Sequence, residues 1–209
     1  MLVFPVSSDL AEVLGVLLGD GCAYWYEESG IYGVSFTAHE SEVSYYRGFV
    51  KPVIEESFGV HGRLFLRGDN TVRYVVNSKR LVMALRAFGI PLGKRTDAKI
   101  PEVVINEGLA IPFIRGFYHA EGSIYRRYSK RYSRHARIYS NLLVIQIRTK
   151  LKTLMSQLTI ELFELGIKTN RLVEKDGVFT LRITDQKEIR KFLELVEPRY
   201  KTIDGLARL

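Results

Sequence analysis

Two acids stand in matching contexts 101 residues apart. Asp20 closes the run Val13-Leu14-Gly15-Val16-Leu17-Leu18-Gly19 and is followed by Gly21. Glu121 closes Ile114-Arg115-Gly116-Phe117-Tyr118-His119-Ala120 and is followed by Gly122. Residues four apart share a helix face. Gly15 and Gly19 therefore make a flat strip on one helix, and Gly116 and Ala120 make one on another; such strips let two backbones pack closely. The pattern predicts a packed helix pair, each member ending in a carboxylate, with Gly21 and Gly122 in the left-handed conformation that ends many helices. A helix C-terminus is the negative end of its dipole, and two carboxylates brought together repel. A hard divalent cation with oxygen ligands offsets both effects, and Mg2+ is the usual ion where phosphate is also a ligand. The plainer reading, two core helices with solvated acids past their ends, suits one such helix better than two.

The charge distribution points to a polyanion. Residues 1–106 carry 11 Lys and Arg against 12 Asp and Glu, and residues 107–209 carry 20 against 11, within a net charge of +8. From Ser123 to Lys150 there is no acid at all, while Arg126, Arg127, Lys130, Arg131, Arg134, Arg137, Arg148 and Lys150 alternate with Tyr125, Tyr128, Tyr132 and Tyr139. Basic residues interleaved with aromatics are the footprint of a nucleic-acid surface. A single cysteine, Cys22, excludes an intramolecular disulfide and a cysteine-based zinc cluster. No apolar run reaches the roughly 18 residues of a membrane span. Met1-Leu2-Val3-Phe4-Pro5 lacks a basic leader, so no signal peptide, no membrane partner and a cytoplasmic location are expected.

The elements that must position the acids also repeat. After the first motif, Ile31 to His39 alternates apolar and polar residues as a half-buried strand does. A helix is predicted over 41–57, closed by Gly59. A hairpin turns at Gly68-Asp69-Asn70, with Arg63, Arg67 and Arg73 on its polar face, and a short helix covers 78–88. The second half repeats the order: a long basic hairpin ending in Gln146, Arg148 and Lys150; a helix over 151–165 closed by Gly166; a hairpin at Lys175-Asp176-Gly177 with Arg171, Thr180 and Arg182 facing out; and a helix over 186–196. Gly59 and Gly166, Asp69 and Asp176, Pro91 and Pro198, and Lys94 and Lys201 are each 107 apart. The shift from 101 to 107 implies about six extra residues, assigned to the basic hairpin. The fold class is therefore α+β: two pseudo-symmetric α-β-β-α-β-β-α halves, 1–106 and 107–209, joined through Lys99 to Glu102 into one compact monomer. Two antiparallel sheets would form a DNA-binding saddle around the central helix pair. Two-stranded ribbons fit the major groove, and the remaining Lys and Arg would position phosphates.

At this point the chain resembles the LAGLIDADG homing endonucleases in their single-chain form with two motifs. The resemblance rests on Gly15 to Gly21, on Gly116 to Gly122, and on Gly89-Ile90-Pro91-Leu92-Gly93-Lys94-Arg95 with Ile100-Pro101 following. Leu18 and His119 depart from the motif at its first, variable aspartate position. The resemblance implies Asp20 and Glu121 as metal-binding acids, with Gly19 and Ala120 beside them at the metal. It implies Lys94 and Lys201 as the basic residues flanking two active sites, and His39 and Gln146 at strand ends as water-orienting groups. It further implies Mg2+ as cofactor, with Mn2+ substituting and Ca2+ binding without efficient cleavage. The expected activity is a double-strand break in a long duplex target, leaving short 3′ overhangs, by an intron-encoded or free-standing protein. An intron-splicing maturase acting on RNA, or a non-catalytic DNA-binding regulator, is the alternative on the same fold. Cys22, Trp25, Phe117 and Tyr118 read as packing residues, and His61, His119 and His135 have no metal-ligand spacing.

Overall fold

The computed structural model describes residues 5–129 and 137–201. The chain divides into two compact units, Met1–Ala120 and Glu121–Leu209. The repeat boundary near residue 106 is a different boundary, because the second motif helix lies almost wholly in the first unit.

In the first unit, α1 (Ser8–Asp20) starts at Ser7, whose side chain accepts from the Leu10 N–H at 3.1 Å. Every residue from Leu10 to Gly19 is buried, as befits a helix surrounded by protein. α1 runs without a loop into β1 (Gly21–Tyr26), which pairs with β2 (Ile31–His39). A composite helix follows: a tight turn (Glu40–Glu42), α2 (Val43–Tyr45), a π-helical turn (Tyr46–Val50) and α3 (Lys51–Phe58). The Lys51 N–H bonds the Tyr46 carbonyl five residues back, just before Pro52; proline lacks an N–H, and a widened turn lets the helix continue past it. The strands β3 (Arg63–Leu66) and β4 (Thr71–Val76) complete an antiparallel sheet in the order β1-β2-β4-β3. Its core face carries Val34, Phe36, Val72, Tyr74 and Val76. Then come α4 (Lys79–Ala87), a short α5 (Glu102–Asn106) that the spacing did not predict, and α6 (Ala110–Glu121).

The second unit continues with β5 (Gly122–Ser129), β6 (Arg137–Thr149), α7 (Lys152–Glu164), β7 (Val173–Lys175), β8 (Val178–Ile183) and α8 (Gln186–Val196). Its sheet order, β5-β6-β8-β7, matches the first. Ile145, Ile147, Leu181 and Ile183 form the buried sheet face, and Leu154, Leu158, Ile189 and Phe192 are buried on its helices.

Two expectations need correction. Gly21 is extended (φ −105°, ψ 169°), not left-handed, and Gly122 likewise opens a strand. A side chain at Gly21 would run into Leu17, including its carbonyl at 2.7 Å, so the glycine is there for space. The net shift of six between the halves hides two changes. Gly21 pairs with Phe36 and Gly122 with Ile147, so the second hairpin is ten residues longer, while the stretch from that strand to Gly166 is four shorter than its counterpart ending at Gly59.

The predicted contact of α1 with α6 is present at Gly15 and Gly116. A Cβ on Gly15 would fall on the Phe113 carbonyl and 2.7 Å from the Phe117 nitrogen, and one on Gly116 would fall on the Glu12 carbonyl. Beside this crossing lies a charge cluster that the sequence did not reveal. The wholly buried Glu12 accepts from the Tyr45 hydroxyl at 2.9 Å and lies 3.3 Å from Arg115 Nη1 and 3.6 Å from Nδ1 of the equally buried His119. On this basis Gly116→Ala should lower stability by about 1–3 kcal/mol, read as a fall in the denaturant midpoint; an unchanged midpoint would mean the helices can part at no cost. Glu12→Leu should cost about 3–5 kcal/mol by stranding the largely buried Arg115 guanidinium, and Glu12→Leu with Arg115→Leu should recover much of that loss. Strictly additive losses in the double variant would show that the two residues are not coupled.

Candidate nuclease site

Asp20 is the last residue of α1 and Glu121 the last of α6, each half-exposed. The negative end of α1 is met by a residue that the motif spacing did not single out. Arg95 Nη1 donates to the carbonyls of Leu18 and Gly19, both at 2.8 Å, and approaches that of Leu17 at 3.4 Å. A cation against the last carbonyls of a helix is the favourable arrangement there. The Arg95 loop is pinned to the sheet by the Gly93 N–H, which donates to the Ala23 carbonyl at 2.8 Å. Lys94, in the same loop, is exposed. In the second unit the corresponding cation is Lys201 itself: its Nζ donates to the Gly122 carbonyl at 3.1 Å, one residue beyond Glu121, and lies 5.7 Å from the Tyr200 ring centre. Lys201 has a positive φ of 59°, a conformation uncommon outside glycine and worth noting near a functional group.

Among the described residues, no cluster of three or more His, Cys, Asp or Glu would enclose a metal. A cation at Asp20 or Glu121 would draw its other oxygens from water and phosphate, which suits Mg2+. The Tyr46 hydroxyl is consistent with a hydrated ion near Asp20. It is 1% exposed and has no hydrogen-bond partner among the described residues, and burial, with the charges of Asp20 and then Glu42, pushes its ionisation well above the usual phenol range. The Gly19 carbonyl is engaged by Arg95, so in this arrangement it faces a guanidinium; Ala120 is half-buried in the last turn of α6.

Residues 109–197 match the family described as LAGLIDADG-like domain. No curated protein matches the chain by sequence. Among solved structures, mesophilic variants of the homing endonuclease I-DmoI align at a TM-score of 0.64 and 21% identity, covering 93% of this chain and 98% of theirs. I-DmoI in complex with DNA and Mn aligns at 0.64 and 22%, covering 94% and 99%. The LAGLIDADG meganuclease I-AabMI bound to uncleaved DNA aligns at 0.61 and 16%, covering 93% and 86%. The chain has the LAGLIDADG fold.

Of the other candidates, Arg63 and Arg73 share the first sheet's outer face with Ser35, Thr37 and Phe65. Arg67 lies just past β3, 3.6 Å from Asp69. Arg148 and Arg182 share the second sheet's outer face with Gln146 and Thr180. Lys150 falls beyond the end of β6, and Arg171 precedes β7, so neither is on a strand. Arg126 pairs with Leu143 on the Ile124 side, because neighbours in a strand point oppositely, and Arg127 lies at the register shift between Arg126 and Tyr128. Arg137 opens β6; Lys130, Arg131 and Arg134 lie outside the described residues.

His39 and Gln146 are not a matched pair. Registers aligned on the motif glycines make Ser35 the counterpart of Gln146. The His39 ring caps the following helix, accepting at Nδ1 from the Ser41 N–H at 3.2 Å, and Gln146 lies inside β6 rather than at its end. Arg95 was hidden because its carbonyl partners are 76 to 78 positions away; the signal available was its place after Lys94. Arg95→Met should cost about 1–2 kcal/mol of stability at neutral pH, measured by thermal unfolding. An unchanged melting temperature would mean water serves the α1 carbonyls equally well.

Proposed function

We propose that the protein is a divalent-metal-dependent DNA endonuclease that recognises a long duplex site and breaks both strands, leaving short 3′ overhangs. The observation that carries this reading is that each motif helix ends in a carboxylate and has a basic side chain bonded to backbone carbonyls at or just past that end. Two such ends in one chain suit two scissile phosphates, one per strand.

Asp20 and Glu121 would hold Mg2+ together with phosphate oxygens. When bound, the ion supplies a Lewis acid for the phosphate and an activated water. Lys201, fixed at the Gly122 carbonyl, would stabilise charge growing on the phosphate near Glu121. Arg95 offsets the negative end of α1 beside Asp20, and the neighbouring exposed Lys94 would meet phosphate. The two sheets' outer faces would lie in the major groove, with Arg63, Arg73, Arg148 and Arg182 among the residues facing bases. The chain carries both acids and both lysines, which favours a live nuclease over a regulator.

The test is cleavage of a randomised duplex library with Mg2+, with Ca2+ and with EDTA, sequencing the cut ends. Mg2+-dependent cutting at one long site is expected, with retention but little cutting in Ca2+ and none in EDTA. Asp20→Asn and Glu121→Gln should each abolish double-strand cleavage while keeping duplex binding within a few-fold. A variant that cuts at the normal rate would overturn the assignment of these acids.

A further inference from the structure

The outer face of the second sheet holds an arginine already fixed by its neighbours. Arg182 is exposed, and its Nε donates to Gln146 Oε1 across the β6–β8 pair at 2.8 Å. The Tyr125 hydroxyl donates to the same oxygen from β5 at 3.3 Å. Arg Nε is only a donor, so this bond also fixes which end of the amide is oxygen. The Gln146 Nε2 group is left to donate elsewhere. With Nε engaged, the guanidinium keeps the two Nη groups at its tip, which form the fork that matches a pair of acceptors. In the major groove the matching pair on a base is O6 and N7 of guanine, the commonest arginine contact there.

We infer that Arg182 reads a single guanine in the half-site bound by the second sheet, with Gln146 and Tyr125 as positioning residues that hold its side chain in the reading orientation. This rests on the duplex-DNA reading above. It also gives Gln146 a role in recognition, where its sequence position suggested catalysis.

The first sheet lacks the device. Aligned on Gly21 and Gly122, Ser123, Gln146 and Arg182 correspond to Cys22, Ser35 and Val75, which pair in the same way. Tyr24, the counterpart of Tyr125, bonds Asn77 instead, at 3.4 Å. An arginine held in this way therefore belongs to the second sheet only.

The experiment uses the full chain and a randomised duplex library captured in Ca2+ and cut in Mg2+, comparing the unaltered protein with Arg182→Gln, Gln146→Leu and Gln146→Glu. The unaltered protein should select guanine at the position read by Arg182 in the half-site bound by the second sheet. Arg182→Gln should reduce guanine over adenine at that position by about ten- to a hundredfold, leaving the other positions unchanged. Gln146→Leu should weaken the same preference, and Gln146→Glu, which keeps an acceptor for Nε, should retain it. If the unaltered protein selects a site and Arg182→Gln weakens every sequence equally, Arg182 touches phosphate and this inference alone fails. It fails equally if no base preference changes. If the unaltered protein neither retains nor cuts any duplex, the nuclease reading fails and takes this inference with it.

Discussion

Gly15 and Gly116 bring the backbones of α1 and α6 so close that neither position has space for a methyl group. A crossing of that kind tolerates little sliding or rotation, because protein interiors are close-packed and peptide groups do not yield as side chains do. It fixes where α1 ends, and since α1 passes straight into β1 at Gly21, it also fixes where the first sheet begins. The polar cluster beside the crossing adds direction. Glu12 is on α1, and its partners, the Arg115 guanidinium and the His119 ring, are on α6. By the motif offset, the matching residues are Phe113 on α6 and Leu14 and Leu18 on α1. The two helices share a shape but not a charge pattern. Pairing α1 with another α1 would bury two carboxylates without their cations, a penalty of the kind that sets specificity between similar surfaces.

An acid at a helix C-terminus is an electrostatic fault that the fold must offset. The two units do so differently. Arg95 puts one nitrogen against the carbonyls of Leu18 and Gly19, whereas Lys201 reaches the Gly122 carbonyl from a left-handed backbone position. Both place a positive charge within about a residue of the acid.

The elements that the sequence made legible are those governed by local chemistry: the small-residue strips, the alternation in β2, and the glycine helix stops at Gly59 and Gly166, where φ is 60° and 72°. What stayed hidden depended on partners distant in the chain. Glu12 looks like any acid early in a helix until Arg115, 103 residues on, is seen beside it. Gly21 departs from expectation because a glycine after a helix serves either a left-handed turn or a tight contact, and only the position of Leu17 distinguishes them. The pairing of His39 with Gln146 failed for a related reason: a longer hairpin and a shorter connection partly cancel, so counting from one end gives a plausible but wrong register.

Duplication copied a scaffold, and divergence has acted mainly on what that scaffold displays. The sheet orders, the motif ends and the antiparallel pairing of the first two strands where they leave the motif helix are the same in each unit. The outer faces are not: where one sheet carries Ser35 and Val75, the other carries Gln146 and Arg182, and all the excess positive charge lies in residues 107–209. Two identical halves could recognise only a palindrome, because symmetry in the protein requires symmetry in its duplex. Joining the halves in one chain removes that requirement. Each sheet can then change its contacts independently, provided the helix crossing and the two acid-bearing ends are kept.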